Sequence, residues 1–262
     1  MNTITAPIIQ KWYERLDFPK EYDEAFYAAL NTVEVLPTAC VEEYDKNSED
    51  GIKNLLHYLY FCEETERKFL SRGIPEEILL DTLSDLVIWT NIWSEIKGEL
   101  YLGELGWLAI HLSANLFKLG RLQFAFPAPT SLEEKGTVQV HIPAVGKLSE
   151  ELCLASLDRA RAFFAKYFPE YEYDRFTCHS WLLDETLKKY LPPESNILHF
   201  GDLFTRTARE DADSLLRYIF RWDTTRENLA DFPATSSFAV RIKRAVLEEG
   251  ETFHLTLGYI LK

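Results

Sequence analysis

TVQVHIPAVGKLSEELCLASLDRARAFFAKYF, residues 137–168, decides the fold of this 262-residue chain. From Thr137 to Ile142 apolar and polar residues alternate, the period of a strand with one face in a core. Pro143 and Gly146 then break the pattern. Beyond Ser149 the spacing becomes helical, with Cys153, Leu157, Ala160, Phe164 and Phe168 on one stripe. A strand passes through a short turn into a long amphipathic helix. Ser149 suits the N-cap, and Glu150 and Glu151 complement the helix dipole. Helix capping accounts for that pattern most simply. The alternative is that amides near Val145, Gly146 and Lys147 hold a phosphate or pyrophosphate.

Upstream, GRLQFAF (120–126) alternates in the same way. The loop PAPTSLEEKG (127–136) is rich in turn residues, so a long-looped hairpin is expected. Leu122, Phe124, Phe126, Val138, Val140 and Ile142 form its core face. Arg121, Gln123, Gln139 and His141 form the other face, which is either solvent-exposed or the wall of a polar pocket. In the pocket reading His141 is a base near neutral pH, and Arg121 holds an anionic group. Gln123 and Gln139 then orient the substrate.

Downstream, YEYDRFTCHS (171–180) is a predicted strand. Adjacent Cys178 and His179 point to opposite faces, which disfavours a thiol–imidazole dyad. Cys178 reads as a core thiol, and Asp184 as an acid in the first turn of a following helix. His179 and Ser180 are the residues of this junction placed to touch a ligand. His111 shares a helical stripe with Trp107 and Asn115. It is either a satisfied interior histidine or a substrate-facing one.

The N-terminal half is expected to be helical: 6–16, 21–30, 50–70, a single helix over IPEEILLDTLSDLVIWTNIWSEI (74–96), and 103–118. After residue 180 the pattern predicts a helix over 181–191, a strand over 196–207, helices over 211–220 and 238–249, and a closing strand over 253–261. The order of elements describes an α+β protein whose character changes near residue 118.

Composition narrows the function. Seventeen Phe, thirteen Tyr and six Trp supply ample core material, so wholesale disorder is excluded. A net charge of −14 makes nucleic acid and membrane surfaces poor partners. The first sixteen residues lack the basic, apolar and small-residue segments of a signal peptide, and Leu105–Phe117 is too short to span a bilayer. Cys40, Cys62, Cys153 and Cys178 lack CxxC spacing and read as reduced thiols of a cytoplasmic protein, with no metal site. Metalloprotease, nucleotide-loop and serine-hydrolase motifs are absent from the sequence.

Four blocks, LGWLAIHLSANLFKLGRLQF (105–124), VHIPAVGKLSEELCLASLDRARAFFAKYFPE (140–170), FTCHSWLLD (176–184) and LPPESNILHF (191–200), carry a resemblance. They resemble, in the same order, bacterial acyltransferase domain-containing proteins. That family pairs a helical acyltransferase N-terminal domain, here 1–117, with a GNAT-like C-terminal domain, here 118–262. The resemblance implies a twisted mixed β-sheet flanked by helices and splayed to admit an acyl-CoA. It implies acetyl-CoA or another acyl-CoA as co-substrate, cradled at Val145, Gly146 and Lys147, and an unknown small-molecule or peptide acceptor. His141 stands where the fold often places a carboxylate base, and Tyr171, Tyr173 and Tyr190 are candidate acids. The family's loop pattern, [QR]xxGx[GA], is reduced here to Gly146. The activity implied is N- or O-acyl transfer; the alternative is a catalytically inactive GNAT-like module that binds a small molecule or a protein.

Overall fold

The computed structural model describes residues 4–127 and 136–262. Most of the predicted loop 127–136 therefore lies outside the described residues. The chain forms two compact units, Met1–Leu119 and Gly120–Lys262.

The N-terminal unit contains α1 (Ala6–Arg15), α2 (Asp23–Thr32), α3 (Gly51–Ser71), α4 (Glu76–Leu83), α5 (Asp85–Lys97), α6 (Leu105–Leu112) and a short strand β1 (Leu116–Lys118). α3 is its spine: Leu55, Leu56, Tyr58, Leu59, Cys62 and Phe69 are all buried. Asp50 caps it by accepting from the Lys53 amide at 3.1 Å. Two hydroxyls tie α3 to α6: Tyr58 donates to the Leu105 carbonyl at 2.8 Å and Thr65 to that of Leu112 at 2.7 Å.

The helix expected over 74–96 is broken at Ser84, where α4 ends and α5 begins. The Ser84 hydroxyl donates to the Asp81 carbonyl at 2.6 Å, the local competition with helix bonding that serine favours. The helix expected over 103–118 stops early. Ala114 takes a left-handed backbone at φ 61°, and Lys118 already donates its amide to Thr82 Oγ1 at 2.9 Å.

The C-terminal unit contains β2 (Gln123–Ala125), β3 (Thr137–His141), α7 (Glu150–Tyr167), β4 (Arg175–Ser180), α8 (Asn196–Asp202), β5 (Thr205–Asp211), α9 (Ser214–Ile219), α10 (Ser237–Leu247) and β6 (His254–Leu261). Its strands lie in the order β2-β3-β4-β6-β5. β3 and β4 are parallel, and every other neighbouring pair in that order is antiparallel. α7 is the crossover that a parallel pair requires. The stripe read from the sequence is its buried face, with Cys153, Leu157, Ala160, Phe164 and Phe168 enclosed. Phe126 meets Phe164, Phe168 and Tyr171 at ring distances of 5.5, 5.0 and 4.7 Å. A second core gathers Leu187, Leu215, Leu229, Ile242 and Phe253.

Two predicted elements differ. Residues 181–191 form two 3-10 turns, Trp181–Leu183 and Glu185–Lys189, capped in turn by Ser180 and Asp184. Asp184 is buried and bound to the Thr186 and His254 amides, so a continuous helix cannot pass through it. Residues 196–202 form α8, which the Ser195 hydroxyl caps by accepting from the Ile197 amide, and the strand starts later, at Thr205. Among the described residues no helix is long and apolar enough to cross a membrane.

Ser156 fixes the start of β2 to α7. Its Oγ accepts from the Arg121 amide at 2.8 Å and the Leu122 amide at 3.2 Å, and donates to the Leu152 carbonyl at 2.9 Å. Gly120 makes room for this contact: its φ is +91°, and a Cβ there would lie 3.0 Å from Ser156 Oγ. Ser156→Ala leaves two backbone donors without their acceptor and is expected to cost about 1–3 kcal/mol in urea-induced unfolding.

Burial separates the four thiols. Cys62, Cys153 and Cys178 are enclosed, and Cys40 is half-exposed. Burial disfavours the thiolate and pushes Cys153 up to about 11, against the opposing pull of Arg121. It pushes Cys62 well up too. A disulfide reagent at pH 8 is expected to titrate Cys40 rapidly, with the three others reacting only in denaturant. Rapid reaction of Cys178 would restore a thiol mechanism to consideration.

Candidate active site

The parallel ladder between β3 and β4 is short. Its pairs are Thr137↔Arg175, Val138↔Phe176 and Gln139↔Thr177. β3 continues to His141 and β4 to Ser180, yet the ladder between them stops. Each strand stays bound on its other side: His141 pairs with Gln123 of β2, and Ser180 with Thr256 of β6. The sheet therefore parts between two otherwise paired strands.

Paired residues share a face, and so do residues two apart along a strand. The register thus puts Gln123, Gln139, His141 and His179 on one face, with both histidines past the last rung. Four of the predicted site residues are brought together. Gln123 is fully buried and Gln139 half-buried. Nε2 of His141 is enclosed. The His179 side chain is 39% exposed, and its Nε2 lies 3.5 Å from Glu210 Oε1 on β5.

Ser180 faces the other way, with Cys178. Its hydroxyl accepts from the Leu182 amide at 3.2 Å and serves as a cap. His111 lies in the interior of the N-terminal unit, 3.1 Å from Asp85 Oδ2 through Nε2 and 3.2 Å from the Trp107 carbonyl through Nδ1. Trp107 donates to the same Asp85 oxygen at 3.3 Å.

Arg121 does not stand on the polar face with Gln123. It precedes β2, and its guanidinium turns toward the loop between β3 and α7. Nε donates to the Lys147 carbonyl at 2.8 Å; Nη2 donates to those of Pro143 at 3.3 Å and Gly146 at 3.2 Å. Gly146 accommodates the bend with a φ of +99°. A carbonyl and the next N–H of a trans peptide point in opposite directions. The amides of Ala144, Lys147 and Leu148 are thus turned away from the guanidinium. Among the described residues no group accepts from the amides of 144–148.

The 18-residue helix α7 begins directly after this loop. Ser149 occupies its N-cap position but its side chain makes no capping hydrogen bond, contrary to the sequence expectation. Val145, Gly146 and Lys147 are all exposed. The arrangement is a run of free amides at the positive end of a long helix dipole, a ready anion cradle.

None of the candidate tyrosines reaches the parting of the strands. Tyr171 donates to the Thr137 carbonyl at 2.7 Å, at the paired end of the ladder. The Tyr173 hydroxyl is buried near the same end, and burial raises its pKa. Tyr190 donates to Glu251 at 2.8 Å; burial and that carboxylate push it up to about 12. Glu210 escaped the sequence reading because it meets His179 only across the intervening strand β6. No cluster of metal-ligating side chains occurs among the described residues.

The fold and this geometry have clear relatives. The model of the GNAT-like C-terminal domain matches residues 116–260, and that of the N-acyltransferase N-terminal domain matches residues 7–114. No curated protein matches the chain. An acyltransferase solved in complex with decanoyl-CoA and teicoplanin is 26% identical with a TM-score of 0.79, covering 97% of this chain and 87% of its own. An acyltransferase in complex with decanoyl-CoA is 25% identical with a TM-score of 0.75, covering 96% and 86%. A mutant acyltransferase solved with octanoyl-CoA has the same fold, at 24% identity and a TM-score of 0.79 over 97% and 87% of the two chains. By its fold, its parted sheet and these matches, the chain belongs to the family with a GNAT-like C-terminal domain, joined to an N-acyltransferase N-terminal domain.

Proposed function

We propose that the protein is an acyl-CoA-dependent acyltransferase that acylates an amine or hydroxyl of a small-molecule acceptor. The observation that carries this reading is the parting of β3 from β4 beside the amide-lined loop at the start of α7. An extended thioester fits between two strands that no longer pair, and its diphosphate fits the loop. The structural relatives crystallised with decanoyl-CoA support the donor class, and the one crystallised with teicoplanin supports a small-molecule acceptor.

The chemistry follows from the residues at the parting. The acceptor's nitrogen or oxygen attacks the thioester carbonyl carbon, and the carbonyl π electrons move to its oxygen. Collapse re-forms the carbonyl, breaks the C–S bond and releases CoA as a thiolate. His179 takes the acceptor's proton. Its Nε2 faces Glu210, which leaves Nδ1 for that task and steadies the ring. The proton then passes to the departing sulfur. His141, with Nε2 enclosed, lines the opposite strand with Gln139, beside Gln123 of β2, and orients the reactants. Holding thioester and acceptor together in one gap supplies the proximity part of the acceleration. The unbridged thiols fit a cytoplasmic enzyme.

Glu150 and Glu151 beside the loop favour a second reading, a GNAT-like module that binds without turnover, since two carboxylates repel a diphosphate. Thermal unfolding with acyl-CoAs of graded chain length, against free CoA and ATP, tests donor binding. A ligand at about 100 times its Kd adds about 2.7 kcal/mol of stability, and a clear rise in Tm is expected. Thiol release in a screen of amine and hydroxyl acceptors tests turnover. His179→Ala is expected to lower kcat about 10²- to 10⁴-fold with acyl-CoA binding intact. No rise in Tm with any acyl-CoA, or binding with no thiol release from any acceptor, would favour the non-catalytic module. Full activity of His179→Ala would remove His179 as the base.

A further inference from the structure

Arg121 makes an unusual set of contacts for a cation in a chain of net charge −14. It is half-buried, and its guanidinium meets three backbone carbonyls of one loop, those of Pro143, Gly146 and Lys147. Nη1 is enclosed and has no hydrogen-bond partner among the described residues. Burial pushes the guanidinium down from its ordinary value, and among the described residues no carboxylate compensates; the one opposing influence among them is Cys153. A half-buried cation without a counter-ion is costly in the free protein. Surface arginines of this unit are satisfied differently: Arg226 is paired with Asp213 and Arg221 with Asp223.

Binding carbonyls from within has a geometric consequence. Each carbonyl drawn inward sends the next amide outward, so the amides of Ala144, Lys147 and Leu148 are presented together on the exposed side of the loop. The guanidinium charge lies directly behind them, and the α7 dipole adds to it. Both effects oppose the repulsion from Glu150 and Glu151. The contact network extends further, since the Arg121 amide is itself held by Ser156 of α7 at 2.8 Å.

We infer that Arg121 is a positioning residue for the donor's diphosphate: it holds the 143–147 loop with its amides outward and provides the positive charge behind them. This rests on the acyl-CoA reading and deepens it. The donor portion recognised is the nucleotide diphosphate, so Arg121 governs affinity for CoA thioesters and is indifferent to thioesters that end at pantetheine. It touches neither the acyl carbon nor the acceptor.

The full chain, as Arg121→Met and Arg121→Lys, is to be titrated calorimetrically with one acyl-CoA and with the matching acyl-pantetheine. Arg121→Met is expected to weaken acyl-CoA binding at least tenfold and to change acyl-pantetheine binding less than twofold. Arg121→Lys keeps the charge without the planar fork and is expected to recover part of the loss. Equal weakening for both ligands would mark a merely structural residue and overturn the inference, as would unchanged acyl-CoA affinity. Should either variant fail to fold, amide hydrogen exchange on the wild-type chain decides. Acyl-CoA is expected to protect Ala144, Lys147 and Leu148, and acyl-pantetheine to leave them unprotected; no protection by acyl-CoA overturns the inference. A wild-type chain that binds no acyl-CoA sinks the donor assignment itself. A wild-type chain that binds it alongside an unaffected Arg121→Met variant sinks only the role of Arg121.

Discussion

Three rungs of parallel pairing between β3 and β4 are the constraint on which the C-terminal unit depends. A parallel pair needs a long crossover, and α7 is that crossover, so the strand join dictates where the long helix begins and ends. Because the rungs stop at Gln139 and Thr177, the helix starts beside a gap rather than beside a closed sheet. The loop leading into α7, the two histidines and the exposed amides all take their places from that early stop. The aromatic packing beneath, Phe124 on Phe176 at 5.6 Å and Phe126 among three further rings, holds the rungs that do form.

The site is also an account of polar groups. Ser156 and Arg121 both spend their hydrogen bonds on backbone, one on the entry to β2 and the other on the loop after β3. Together they join elements distant in sequence through main-chain atoms, which any sequence possesses. Side chains of the loop itself contribute little, and only Gly146 is required for its backbone conformation. A loop with one glycine can therefore keep an amide-lined shape when a buried guanidinium holds its carbonyls.

Much of this was legible in the sequence, for physical reasons that can be named. The alternation in 122–126 and 137–142 predicts the correct faces, and the register puts Gln123 opposite His141 as that alternation requires. The 3.6-residue stripe of α7 identified its buried side. What escaped were features set by hydroxyl and carboxylate side chains that bind backbone locally. Ser84 broke a helix that looked continuous, Ser195 turned an apparent strand into α8, and Asp184 split a helix into two tight turns. Alternation puts Arg121 on the polar face only if the strand is extended upstream of Gln123, where β2 begins, back toward the left-handed Gly120. Glu210 carried no signal, because its meeting with His179 depends on the order of strands in space. The resemblance to GNAT-like proteins supplied what periodicity cannot, namely the expectation that the sheet opens and that a thioester enters.

The early end of the β3–β4 ladder also divides labour within the sheet. On one bank β3 is braced by β2; on the other β4 is braced by β6, which β5 supports in turn. Each bank has its own antiparallel reinforcement, so neither relies on the gap for its hydrogen bonds. Residues lining the opening are thereby released from the duty of holding the strands together. The gap is thus the part of the sheet least constrained by backbone pairing. Substitutions at its rim therefore leave the hydrogen-bonded braces on either side unchanged.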